Sequence, residues 1–491
     1  RLGAHLGGLL GGASQLKRQL AFVNSTKGFF GVCTGSREEP GSGPDPLTLW
    51  LEKWLSKLAG KEAGGRPLTF KDLHEKGITF QLVTTDLTTA QPVIMPWKDR
   101  SFIFKEEEFL RLFPQHVIKY LKEASDRHTA KGKLKYELPE GYYHFPTGRD
   151  LPVIVATRMS LSFPVLLCAV PLYTVCEKAF SAMNKAKKDG DRTPYPLRPG
   201  DLRVHWFSDG GIANNFPIHF FDSWIPSRPT FGITLADSPF TGADVPPVKP
   251  PEGPALEGNV VVGNKKYEDP NNEVLMLRPR ETDGAKALLP RYEILGLGGF
   301  MNALLATSRS YRDNLQASLP SYRERIVTVF LKEAEGGLNL DMPSGIVKEM
   351  LRKGERAGEL MAQFDFMEHR WVRSMVLASR LEAQLNHVRH GGPGGALKSV
   401  DALEADYHTI LDAMAAPDAA FYRGVKEPPE WREHAKERMA AFFDLMRRWD
   451  KLEGEWREQH PGEEWDKDAC YMFFSKHKPE PEAMLRVTPE L

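Results

Sequence analysis

The 491 residues predict an α/β fold: a mainly parallel sheet sandwiched by helices, followed by a mostly helical C-terminal region. Three observations carry this expectation. Short β-rich runs alternate with helical stretches over about the first 335 residues, the rhythm of parallel strands joined by helical crossovers. Beyond residue 340 nearly every segment reads as helix. Hydrophobic residues make up 41% of the chain, ample core material for two or three domains. The expected division is 1–335, a helical extension over 336–390, and a helical C-terminal region over 398–491.

Residues 1–40 form a glycine-rich opening with no clear periodicity. After the breaker run GSGPDP, Leu47, Trp50, Leu51, Trp54, Leu55 and Leu58 recur at helical spacing. Thr79–Thr84 predicts a strand that ends at Thr85-Asp86, and Phe104–Ala124 a helix interrupted or kinked by Pro114. Further strands are expected at Pro152–Thr157, Leu202–Ser208, Thr230–Ala236 and Arg325–Leu331. Residues 238–272 are rich in Pro, Gly and Asn and too long for a plain connection, so they read as either a disordered segment or a mobile flap. The later helices break at HGGPGGA (His390–Ala396), and Trp431, Ala435, Met439, Phe442, Met446 and Trp449 mark an amphipathic packing helix.

Charge and cysteine usage exclude several classes of function. Lys+Arg equals Asp+Glu at 65 each, so no net charge points to nucleic acid as a partner. Cys33, Cys168, Cys176 and Cys470 fit neither a metal site nor a disulfide framework. We therefore expect no metal, no cofactor and a reducing, cytoplasmic setting. Leu151–Cys176 is the longest apolar stretch, but Pro152, Arg158, Pro164 and Pro171 make it a buried strand-turn-helix rather than a membrane span. No secretory signal is visible, and a start at Arg1 reads as a truncation or a processed end.

The most informative stretch is His205–Pro217, HWFSDGGIANNFP. Asp209 closes an apolar run, and in parallel α/β sheets the chemistry gathers at the carboxyl ends of strands. Gly210 and Gly211 permit a tight turn with positive φ and close backbone approach. Asn214 or Asn215 could cap the next helix, with Pro217 in its first turn. Such a carboxylate could orient or deprotonate a hydroxyl nucleophile; the alternative is a plain Asp-Gly-Gly turn.

HWFSDGGIANNFP resembles the second catalytic block of the patatin-like phospholipases, whose DGG aspartate pairs with a serine as a dyad. Other segments fall in the family's order: PLTFKD with ITFQLVTTDLTTAQP (67–72 and 78–92), ATRMSLSFP (156–164) and YRERIVTVFLKEAEGGLNLDM (322–342). The resemblance spans roughly residues 28–380 and looks like the bacterial type. It implies a lipid acyl hydrolase that forms an acyl-enzyme, with Asp209 as catalytic partner, Gly210 and Gly211 as its supporting turn, and a lipid or ester as substrate.

One departure is large. The family's glycine-rich oxyanion turn and GxSxG nucleophile are absent from the 491 residues, and Gly12–Leu16 offers only GxS around Ser14. We expect both motifs to lie upstream of Arg1, leaving this chain inactive by itself. Ser160 and Ser162 match family positions that are structural, and Ser208 should face away from Asp209. His205 lies four residues before Asp209 on the same strand face, so a Ser-His-Asp triad can be imagined, but the resemblance implies a dyad without histidine, and His205 reads as a packed or solvent-linked residue. Asp86 reads as a turn stabiliser, and Cys168 and Cys176 as buried, inert thiols. Two alternatives stay open: a non-catalytic lipid-binding or scaffold protein on the same fold, and an interaction module built on the helices after residue 340. Peripheral membrane contact is expected of an enzyme acting on lipid, although no lipidation motif or basic amphipathic helix marks its place.

Overall fold

The computed structural model describes residues 29–36, 45–62, 64–97, 102–131, 136–188, 194–237, 274–276, 322–332, 334–336, 342–390, 399–415 and 429–459. Residues 238–272, Ser14, Cys470 and the glycine run 391–396 lie outside them. The chain divides into two compact units, and among the described residues the first ends at Phe220 and the second starts at Phe221.

The first unit contains, in chain order, β1 (Gly31–Cys33), α1 (Leu47–Leu58), α2 (Phe70–Glu75), β2 (Leu82–Asp86), β3 (Gln91–Met95), β4 (Ile103–Lys105), α3 (Glu106–Leu110), α4 (Gln115–Lys131), β5 (Tyr136–Glu137), β6 (Tyr142–His144), α5 (Val153–Ser160), β7 (Val165–Leu167), β8 (Val170–Val175), α6 (Glu177–Lys188), β9 (Tyr195–Pro196) and β10 (Leu202–Asp209). Its main sheet has six strands in the order β3-β2-β10-β8-β4-β6. Every neighbouring pair in it is antiparallel. The fold is mixed α/β, but the expected mainly parallel sheet is corrected: in this unit, parallel pairing among the described residues is confined to β1–β7 and β5–β9.

The reason is local. Four residues, Leu87–Ala90, join β2 to β3, too few for a crossover and suited to a hairpin. The run expected as an intervening strand, Pro152–Thr157, is instead the start of helix α5. Pro152 presents its carbonyl to the amides of Val155 and Ala156, and Val153, Ile154, Val155, Ala156 and Met159 are all buried. A β-branched run enclosed on every side follows its packing rather than its propensity. Pro114 ends one helix and begins another: Phe104 belongs to β4, α3 stops at Leu110, and the Pro114 carbonyl accepts the first amides of α4.

The core of this unit is aromatic. Trp97, Phe102, Phe104, Phe109, Phe113, Phe145 and Phe207 form one buried cluster with the apolar side chains of α5. Phe207 stacks on Trp97 at 6.2 Å and meets Phe102 edge-on at 5.3 Å, which holds β10 in the middle of the sheet. Helix α5 packs on β2 and β10 near the end of β10.

The second unit contains β11 (Gly232–Asp237), β12 (Val274–Met276), β13 (Ile326–Leu331), α7 (Ser344–Met361), α8 (Phe366–His390), α9 (Val400–Ala415) and α10 (Pro429–Gln459). Strand β13 lies between β11, which is parallel to it, and β12, which is antiparallel. Ala357 and Leu360 of α7 pack on Met276, Val327 and Val329. Buried Lys353 pairs with Glu335, and Asp222 takes Arg325 at 3.1 Å and Arg373 at 3.3 Å. Leu385, Val400, Phe443 and Met446 form a separate core between the last three helices. Among the described residues, no helix is long and apolar enough to cross a membrane.

Candidate functional site

Asp209 ends β10, and the chain turns at once into a 3-10 turn over Gly210–Ile212. Its backbone is held from both sides: the amide donates to the Ser162 carbonyl (3.0 Å) and the carbonyl accepts from Thr85 Oγ1 (2.8 Å). Asp209 Oδ1 accepts from the Gly211 amide at 3.1 Å, and among the described residues Oδ2 accepts no hydrogen bond. The half-buried carboxylate thus caps its own turn with one oxygen and leaves the other available. Gly210 is required for close approach, since a Cβ there would lie 2.1 Å from the Val83 carbonyl oxygen. Neither Gly210 nor Gly211 takes a positive φ, which corrects that expectation. No α-helix follows for Asn214 or Asn215 to cap; a second 3-10 turn covers Ile218–Phe221, with Asn214 buried and Asn215 exposed.

Arg158 supports this end of the sheet from α5. Its guanidinium is fully buried and donates to Ser162 Oγ (2.5 Å) and to the carbonyls of Thr34 and Cys168 (3.0 Å each). Burial pushes its pKa down. The Ser162 hydroxyl returns a bond to the Arg158 carbonyl (2.8 Å), while the Ser162 carbonyl accepts from Ser208 Oγ (2.8 Å) as well as from the Asp209 amide. Ser162 and Ser208 are therefore committed to tying α5 to β10. Cys168 is buried and its thiol pKa is raised by burial, whereas Cys176 is only partly covered, which corrects its expected burial.

A second polar constellation sits on β10, and sequence reasoning passed it over. His205 Nδ1 lies 2.8 Å from Asp86 Oδ2, and its Nε2 lies 2.9 Å from Thr174 Oγ1. Asp86 also accepts from the Thr88 and Thr89 amides (3.0 and 3.4 Å) and from the Thr89 hydroxyl (2.9 Å), so it secures the β2–β3 turn too. Burial pushes the Asp86 carboxyl up, but the bonds from His205, Thr89 and Thr88 outweigh it and hold the carboxyl below its ordinary value. Carboxylate, imidazole and hydroxyl are connected here as in a hydrolase triad. An oxyanion hole, however, needs backbone amides aimed at the reacting carbonyl. Thr174 and Val175 are instead in register with Arg203 and Leu202 in the sheet. The arrangement locks β2, β10 and β8 together. No local motif could have revealed it, because His205 and Asp86 are 119 residues apart and meet only through the β2–β10 register.

No family model matches the chain, and no solved structure matches it. A protein of Rhizobium meliloti (strain 1021) named RpoH suppressor is 32% identical over 525 aligned residues, covering 99% of this chain and 73% of its own length. The chain belongs to the family of that protein. The alignment spans both compact units, so both are part of what this RpoH suppressor family shares. Among the described residues, no group of three or more His, Cys, Asp or Glu side chains is placed to hold a metal ion.

Proposed function

We propose that this chain carries the aspartate half of a serine–aspartate lipid acyl hydrolase of the patatin-like type. One observation carries the reading: Asp209 stands at the end of β10 on a backbone held from both sides, with Oδ1 engaged by Gly211 and Oδ2 available. In the proposed reaction a serine supplied by sequence outside these 491 residues attacks the ester carbonyl, and Asp209 Oδ2 accepts or orients its proton. Backbone amides from that same outside segment hold the oxyanion; its collapse expels the alcohol, which takes up the proton held by Asp209, and water then cleaves the acyl-enzyme to the free acid and regenerates the serine. Lipid at a membrane surface is the proposed substrate source.

The test is hydrolysis of p-nitrophenyl esters and phospholipid vesicles by the full-length gene product. Asp209→Asn is expected to lower kcat about 10²–10⁴-fold with an unchanged circular dichroism spectrum. Undiminished turnover in that variant would overturn the role of Asp209. The absence of GxSxG from the 491 residues favours one second reading, a non-catalytic lipid-binding or scaffold protein. A full-length product that binds lipid but cleaves no ester would establish it.

A further inference from the structure

Helix α5, eight residues and about 12 Å long, separates Asp209 from a second candidate site. Its carboxyl end meets Asp209 through Ser162. Its amino end follows Asp150, which lines a cleft of about 550 Å³. That volume is within the range of sites for small organic ligands. Residues His116, Lys119, Tyr120, Glu123 and Arg127 of α4 recur at helical spacing and form one wall. Gly64, Gly65, Arg66 and Lys71 form the other. The lining carries four basic side chains and two carboxylates, Glu123 and Asp150.

Two features distinguish this cleft from a solvated basic surface. The guanidinium groups of Arg66 and Arg127 lie 5.9 and 5.5 Å from the ring centre of Tyr120. Tyr120 is buried and its hydroxyl donates to the Asp150 carbonyl at 3.1 Å, so a fixed aromatic plate positions both forks. Among the described residues, neither Lys119 nor Arg127 forms an ion pair. Arg66 already meets Asp72 at 3.2 Å and Lys71 meets Glu75 at 4.0 Å, so Lys119 and Arg127 are the cations best placed to meet an anion from solution. Guanidinium forks match phosphate oxygens in pairs, while lysine adds an adaptable point charge.

We infer that this cleft binds a phosphate ester through Lys119 and Arg127, with Arg66 and Lys71 adding positive charge beside them. The volume accommodates the phosphate and part of the organic group it carries. The inference does not depend on the hydrolase reading, and its ligand is either a soluble phosphate ester or a phospholipid headgroup.

The experiment uses the 491-residue chain. Calorimetry with glycerol 3-phosphate reports the soluble ester, and flotation with phosphatidic acid vesicles, against neutral phosphatidylcholine vesicles, reports the headgroup. Lys119, Arg127 and Arg66 are exposed, so a K119E/R127E variant should keep its fold, as checked by circular dichroism and thermal melting. Its binding is expected to weaken about tenfold or more, while K119R, which keeps the charge and the Arg127 fork, retains most of it. Saturable binding of glycerol 3-phosphate with that loss supports the inference and assigns a soluble ester. Binding confined to phosphatidic acid vesicles, with the same loss, supports it and assigns a headgroup. No saturable binding of either probe, or binding unchanged in folded K119E/R127E, overturns it.

Discussion

At the residue scale, Asp86 and Asp209 lie on neighbouring strands and do different work. Asp209 spends one oxygen on its own turn, while Asp86 is almost fully buried and engaged by an imidazole, a hydroxyl and two amides. Because the folded Asp86 carboxyl titrates below its ordinary value, its stabilisation is complete above the unfolded carboxylate pKa of about 3.9. It is lost as the pH falls through the lower, folded value. Asp86→Asn is expected to lower the urea midpoint at pH 7 by the equivalent of about 2–4 kcal/mol. It should also flatten the loss of stability on acidification. Urea denaturation at several pH values measures both, and an acid limb identical to that of the parent would exclude this assignment. Asp86 was expected to stabilise a turn, and it does so; its bond to His205 was not expected, since it depends on cross-strand register.

At the scale of elements, α1 inverts the usual relation of a helix to its core. Thr48, Glu52 and Ser56, four residues apart, are buried on one line, whereas Trp50 and Trp54 are 48% and 45% exposed. Leu51 and Leu55 alone carry the contact with the aromatic core. The buried polar line is satisfied only in part: Glu52 Oε1 accepts from Ser56 Oγ at 2.7 Å and lies 3.3 Å from His116 Nε2, while among the described residues Glu52 Oε2 and Thr48 Oγ1 have no hydrogen-bond partner. The exposed tryptophans meet each other at 6.2 Å, with Lys57 over Trp54 at 4.9 Å. Glu52→Ala is therefore expected to destabilise the chain by about 1–3 kcal/mol. Trp54→Lys should stay within about 0.5 kcal/mol. Urea midpoints of the two variants compare them directly, and a larger loss from Trp54→Lys would contradict this placement of the helix. Periodicity located α1, but it could not choose the buried side, because leucines and tryptophans together cover more of the helix than one core contact requires.

At the scale of the molecule, the proposed chemistry is divided between this chain and sequence outside it. The 491-residue chain is expected to show no ester hydrolysis above the buffer rate, because the covalent route needs a serine presented beside Asp209. A p-nitrophenyl butyrate assay decides this, and turnover abolished by Asp209→Asn would show that the chain supplies its own nucleophile. Several elements were legible without coordinates: α1, β10, β11, β13 and α10 stand where period and turn residues placed them, and Asp209 stands at a strand end. These features depend on neighbouring residues, whose spacing is written directly in the chain. Strand direction, the helical state of Val153–Ser160, the Asp86–His205 pair and the basic cleft were settled by tertiary structure. Each depends on groups far apart in sequence and brought together by packing. The sequence alone determined where α1, β11, β13 and α10 run and that a carboxylate ends β10. Tertiary structure alone decided which distant side chains meet, because pairing register and burial are properties of the folded chain rather than of any local pattern.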